Sequence, residues 1–315
     1  MQHVTIHEVG PRDGLQNEKT LVPLDVRIRW IEGLLDSGIE TVQLGSFVNP
    51  RKVPQMADTE ALFEHFRAAG DKRRRVLLSA LVLNEKGLDR GLACGVDLFC
   101  MGVSASRTHG LRNTGMALEE AQSRIVGMAR RAMASGRRVQ GSVQSAFGCG
   151  YEGPVPQDAV LDIVKAYLDA GVRNISLADT AGHANPLQVE ELYGAIRDLE
   201  PAAVLACHFH NTYGLGLANC TAALRSGVTW FESAFGGLGG CPFTKVPAGN
   251  VCTEDLVHSL QRMGLRRDID LNALLNVAQE VSSFFGRELP GLILRSGSIV
   301  DFKGEPAQEV EHEGA

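Results

Sequence analysis

A chain of 315 residues, 44% hydrophobic and 22% charged, can bury a substantial core in one large domain without disulfides, and no apolar run reaches the ~18 to 20 residues of a membrane span. The formal net charge of −6 argues against nucleic acid as the main partner, and the basic clusters at Lys72 to Arg75 and at Arg137 and Arg138 read as solvated strand entrances. Seven cysteines without CxxC spacing exclude a disulfide framework and a structural zinc site; with an N-terminus, MQHVTIHEVG, that lacks a leader's character, they predict free thiols and a cytoplasmic address.

In chain order, eight β-branched apolar runs alternate with segments of helical period. The runs start at Val4, Thr41, Arg75, Asp97, Arg138, Asn174, Ala203 and Trp230, and the clearest helices between them are Leu24 to Ser37, Leu118 to Ser135 and Pro186 to Leu199. The glycines of DSGI and DAGV supply left-handed stops to helices. Alternation of this kind makes a parallel sheet with helical crossovers, and eight strands in about 240 residues match a TIM (β/α)8 barrel. A doubly wound sheet competes, but its GxGxxG turn after the first strand is missing. From about Thr253 the chain predicts extra C-terminal helices; residues 1–302 then form one catalytic domain and 303–315 a mobile acidic tail.

In a barrel, chemistry gathers at the C-terminal ends of the strands. After the first strand, EVGPRDGLQNEK puts Arg12 and Asp13 at the rim; the seventh ends in CHFHNTYG, with His208 and His210; the eighth leads into a glycine-rich loop holding Cys241, and then Asn250. Side chains two apart on a strand share a face, so the two imidazoles can converge. Alone, such a pair is as often two satisfied interior residues. Asp13 on another strand's rim favours a cation, and adding Asn250 gives an oxygen and nitrogen set that suits Mg2+ or Mn2+ better than Zn2+. Cys241, among Gly236, Gly237, Gly239 and Gly240, sits where a loop can close over substrate, and an ordinary thiol there can donate a proton to an enolate. The other six cysteines read as buried apolar residues. His3 and His7 fall near the wrong end of the first strand for chemistry, whereas His109 and His183 follow strands and stay undecided as pocket residues.

VGPRDGLQNE, SFVNPRKVPQMAD, YEGPV, DTAG, HFHNTYG, GGLGGCPF and GNVCTEDLV, in this order, resemble the 3-hydroxy-3-methylglutaryl-CoA lyase family over nearly the whole chain. The resemblance implies metal ligands at Asp13, His208, His210 and Asn250, a catalytic arginine at Arg12 and a loop cysteine at Cys241. It also implies Gln16, Ser46, Asp179 and Thr180 near the substrate and Lys19 near the CoA nucleotide. An acyl-CoA substrate cleaved to acetyl-CoA and a keto acid follows, as does the homodimer common among such barrels. Two positions depart from the family. Gln43 stands where the family carries a catalytic glutamate, and HNTYG has Asn211 in place of an acid, so two negative charges near the cation are lost. Those changes suit a related substrate, such as citramalyl-CoA or a longer 3-hydroxyglutaryl-CoA. A Claisen-type synthase or aldolase, and a barrel that binds CoA thioesters without turnover, are the competing readings.

Overall fold

The computed structural model describes residues 3–68, 76–240 and 249–299. Eight parallel strands, β1 (Thr5–Glu8), β2 (Thr41–Ser46), β3 (Leu77–Leu81), β4 (Leu98–Ser104), β5 (Arg138–Gln144), β6 (Asn174–Asp179), β7 (Val204–Phe209) and β8 (Trp230–Ser233), pair in sequence order. The sheet closes because β8 returns to β1, with Thr5 opposite Trp230 and Glu8 opposite Ser233. Strands covered by helices outside and side chains inside are buried on both faces, which is why they stand out in the sequence as near-continuous apolar runs.

The crossover helices are α1 (Leu24–Asp36), α2 (Thr59–Ala68), α3 (Glu85–Cys94), α4 (Arg107–Thr114), α5 (Leu118–Ala134), α6 (Gln157–Asp169), α7 (Pro186–Leu199) and α8 (Gly216–Arg225). Their ends are set by local chemistry. Asn185 caps α7 in a capping box with Gln188, and Gly38 and Gly171, just past α1 and α6, take φ of 100° and 92°. After β8 come α9 (Thr253–Arg262), α10 (Leu271–Phe285) and the single turn α11 (Ile293–Ser296). The helix α10 lies against α1, where the buried Trp30 meets Phe284 edge-on at 5.4 Å. The extra C-terminal helices are therefore part of the barrel's outer layer. The proposed tail at 303–315 and the basic cluster at Lys72 to Arg75 lie outside the described residues.

Two short devices aim the β1 and β8 loops at the barrel mouth. After β1, residues Gly10–Gly14 form a π-helical turn in which the Val9 carbonyl accepts from the N–H groups of Arg12, Asp13 and Gly14. Gly10 must lack a side chain, because a Cβ there would meet the Glu8 carboxylate and the Phe235 ring at 2.6 Å. Glu8 then ties the two loops together: it accepts from the N–H of Gly10 (2.6 Å) and of Phe235 (3.1 Å), and from the Thr253 hydroxyl (2.6 Å). Burial pushes its carboxyl up to about 8, although these three donors act in the opposite direction.

Candidate metal centre and substrate cavity

At the C-terminal end of the barrel, the side chains of Asp13, His208 and His210 bring their ligand atoms within 4.8 Å of one another. The two Nε2 atoms face each other at 3.2 Å, and Asp13 Oδ2 is 3.9 Å from the first and 4.0 Å from the second. Asn250 completes the group from the strand-like bridge it forms with His210. Its Nδ2 donates to Asp13 Oδ2 (2.8 Å) and to the Leu238 carbonyl (3.0 Å), while its Oδ1 is buried without a hydrogen-bond partner. A buried acceptor left without a donor costs about 1–3 kcal/mol. Three acceptors closing on one point beside such an orphaned oxygen fit a divalent cation, since only a positive charge or shared protons relieves their mutual repulsion. Carboxylate, amide oxygen and imidazole, without thiolate, are the donor types of Mg2+, Mn2+ or Zn2+ sites.

The electrostatics support that fit. Burial alone would raise the Asp13 carboxyl, but the Arg12 guanidinium and the two imidazoles outweigh it and hold the group well below the usual carboxylate range. Burial and the neighbouring His208 depress His210 to about 4, so its imidazole is neutral at physiological pH. His208 is different. Burial would depress it too, but Glu232, whose Oε2 sits 3.0 Å from Nδ1, more than compensates and holds the imidazole above its ordinary value. Glu232 itself is anchored by the Ser176 hydroxyl at 2.9 Å. This carboxylate–imidazole relay fixes the ring so that Nε2 faces Asp13. Glu232 was missed in the sequence; its signal was an acid on β8 in direct register with His208 on β7.

Arg12 spans the charged and uncharged sides of the site. Its Nη1 donates to Asp13 and its Nε to the amide oxygen of Gln43. Beyond it opens a cavity of about 720 Å³ whose lining includes Arg12, Asp13, Gln16, Gln43, Thr180 and both histidines. Thr180 Oγ1 also accepts from the Ser145 N–H at 2.9 Å.

Not every expected residue arrives. Asp179 is outside the lining: its carboxylate accepts from the N–H groups of His183 (2.7 Å) and Ala184 (3.2 Å), and so braces the loop after β6. Ser46 is buried away from the lining, with its Oγ unpartnered, and Lys19 is exposed two residues beyond Asn17, the last lining residue of that loop. Asn211 corrects an electrostatic expectation. It is exposed, and its Oδ1 accepts from Gly216 N–H at 3.0 Å at the start of α8, so its replacement of an acid removes no charge from the cation site. Of the undecided histidines, His109 lines the cavity and His183 does not. His7 was misplaced: β1 is only four residues long, so His7 is its third, buried in the barrel, with Nε2 2.7 Å from Ser79 Oγ. Cys241 lies outside the described residues; Cys94 is half-buried, and Cys100, Cys149, Cys207, Cys220 and Cys252 are buried as expected.

Comparison with known proteins places this arrangement. The family model described as HMGL-like matches residues 3–281. A hydroxymethylglutaryl-CoA lyase of Bacillus subtilis is 36% identical over 287 residues, covering 91% of this chain and 95% of the relative. An (R)-citramalyl-CoA lyase of Chloroflexus aurantiacus is 37% identical over 309 residues, covering 95% and 96%. Among solved structures, an HMG-CoA lyase of Acinetobacter baumannii in complex with coenzyme A and 3-methylmalate superposes with a TM-score of 0.88 at 36% identity, covering 96% of this chain and 98% of that one.

Proposed function

The chain belongs to the HMGL-like family, and from that premise we propose that it is a divalent-cation-dependent carbon–carbon lyase, cleaving a 3-hydroxy-3-methylglutaryl-CoA-like thioester to acetyl-CoA and a keto acid. The observation that carries this is the convergence of Asp13, His208 and His210, with Asn250 hydrogen-bonded to Asp13 and Arg12 beside them, at the mouth of a large cavity. Asp13, His208, His210 and Asn250 would hold the cation, Mg2+ or Mn2+ by their hard donors. A cation there supplies Lewis acidity that lets the substrate's tertiary hydroxyl ionise near neutral pH.

The chain's own residues do the rest. The hydroxyl proton passes to bulk water, the oxygen so freed forms a carbonyl, the adjacent carbon–carbon bond breaks, and its electron pair leaves as the enolate of acetyl-CoA. Negative charge then gathers on the thioester oxygen. Arg12 stabilises it there: two of its donors are engaged by Asp13 and Gln43, which lock the guanidinium before substrate arrives. Cys241, by its setting in the glycine-rich loop, delivers the proton to the enolate carbon. Gln43 takes no proton, because an amide is not a base at this pH; its part is to orient Arg12. Gln16 and Thr180, both on the lining, are the closest candidates to contact the acyl group.

The similar proteins include relatives named as lyases for methylglutaryl and for citramalyl thioesters, at 36% and 37% identity, so similarity does not assign the acyl group. Incubating metal-replete protein with 3-hydroxyacyl-CoA esters and measuring acetyl-CoA tests the reading: release that disappears on chelation and returns with Mg2+ or Mn2+ supports it. Tight binding of every thioester without any acetyl-CoA would favour a non-catalytic CoA-binding barrel.

A further inference from the structure

The floor of the cavity is chemically unlike its rim. On β5 the Cβ of a residue at Gly141 would meet the Tyr167 ring of α6, so Gly141 faces outward and its neighbours Gln140 and Ser142 face the barrel interior. Both Gln140 and Gln144 line the cavity. Four residues of parallel strand separate them, so the cavity descends roughly 13 Å along β5. At that depth the lining includes Gln43, Leu81, Cys100, Met101 and Gln140, and none of these carries a charge. Gln140 is 1% exposed, and its Nε2 donates to nothing. Gln43, by contrast, is engaged, its oxygen accepting from Arg12 Nε. Glu232, an acid that also lines the cavity, is held by His208 and Ser176.

We propose that this floor is a specificity subsite for the substituent on the hydroxyl-bearing carbon of the substrate, and that it takes a substituent longer than methyl carrying an uncharged hydrogen-bond acceptor, bound by Gln140 Nε2. Three steps lead there. The rim groups hold the hydroxyl, the distal carboxylate and the thioester oxygen, which leaves only the fourth substituent of that carbon to enter the floor. Leu81 and Cys100, in register with each other and with the inward Gln140, make apolar walls that fit an alkyl segment, and a methyl group would leave Gln140 unreached. A carboxylate is disfavoured, because among the described residues no cation stands beside Gln43, Leu81, Cys100 and Gln140 other than Arg12, which is held by Asp13 and Gln43, and Glu232 would repel it. Gln140 is thus a specificity residue and takes no part in breaking the bond. The assignment rests on the lyase reading for the identity of the substrate's other groups.

The test compares coenzyme A thioesters of 3-hydroxyglutarate carrying methyl, butyl or the isosteric methoxyethyl at C3, on the intact metal-replete protein and on Gln140→Met. Acetyl-CoA release gives kcat/KM, and calorimetry with the uncleavable thioether analogues gives affinity without turnover. The wild type should prefer methoxyethyl over butyl by at least about tenfold in both readouts, and Gln140→Met should erase that preference while leaving methyl unchanged. Unchanged handling of methyl shows that the variant is folded. Cleavage of all three without discrimination, or a preference for methyl, overturns the subsite and leaves the lyase standing. Selective binding without cleavage rejects the lyase and keeps the subsite. Neither binding nor cleavage rejects both.

Discussion

One barrel mouth carries two poles of opposite character. On the side of β1, β7 and β8, Asp13, His208, His210, Glu232 and Arg12 form a dense lattice of polar and charged groups, in which neighbours shift the ionisation of Asp13 and of both histidines. On the side of β2 to β5, Gln43, Cys100, Gln140 and Leu81 occupy equivalent inward positions and carry no charge. The backbone geometry is the same on both sides, so the barrel offers positions and the side chains decide between chemistry and selection. Charged groups placed to converge lower the energy of a bond-breaking step; neutral groups lining a slot can only sort what enters it.

The comparison can be broken at several points. Arg12→Gln should lower kcat by about 10²- to 10³-fold, since a preorganised cationic donor is lost at the developing enolate. Cation affinity in that variant should change little, and a variant with near-normal turnover would remove Arg12 from the chemistry. Glu232→Gln should weaken Mn2+ binding by about 10- to 100-fold, because the carboxylate that orients His208 is neutralised. Equal affinity would show that His208 needs no such partner.

The relay also sets a pH dependence. Glu232 raises the His208 imidazole above its ordinary value, and a protonated ring cannot bind a cation. Affinity should therefore fall as pH drops through that raised value, by about tenfold per pH unit below it, and should level off above it. A titration of Mn2+ affinity against pH that stays flat between pH 5 and pH 8 would contradict the assignment. The smallest expected effect lies outside both poles. Asn211→Ala should cost about 0.5–2 kcal/mol of stability, read by urea unfolding, through loss of the bond to Gly216 N–H, and should leave cation affinity intact.

How the sequence disclosed these poles depended on which physical pattern each residue obeyed. The eight strands were legible because burial on both faces writes an unbroken apolar run, and the meeting of His208 and His210 was legible because the extended backbone of β7 continues into the bridge of His210 with Asn250, which keeps residues two apart on one face. Glu232 escaped notice because one acid in WFES means little until β7 and β8 are in register. Asp179 and Asn211 sat in motifs next to ligands, yet Asp179, still on β6, alternates with the inward Ala178 and so faces away from the cavity, while Asn211 lies past the end of β7 at Phe209. Both turned to nearby backbone N–H groups, as short Asp and Asn side chains do. His7 was misjudged for a different reason, the unexpected shortness of β1. Gln140 gave no signal at all: an amide inside a strand becomes informative only when its nitrogen is seen to lack a partner.

The convergence of four side chains on one cation is tested most directly by titrating stripped protein with Mn2+ and following the free ion by electron paramagnetic resonance, beside Asp13→Ala and His210→Ala. One tightly bound ion per chain, lost in either variant together with acetyl-CoA release, is the result expected. Binding that survives both substitutions, or stripped protein that cleaves the thioester as fast as the replete enzyme, would contradict it.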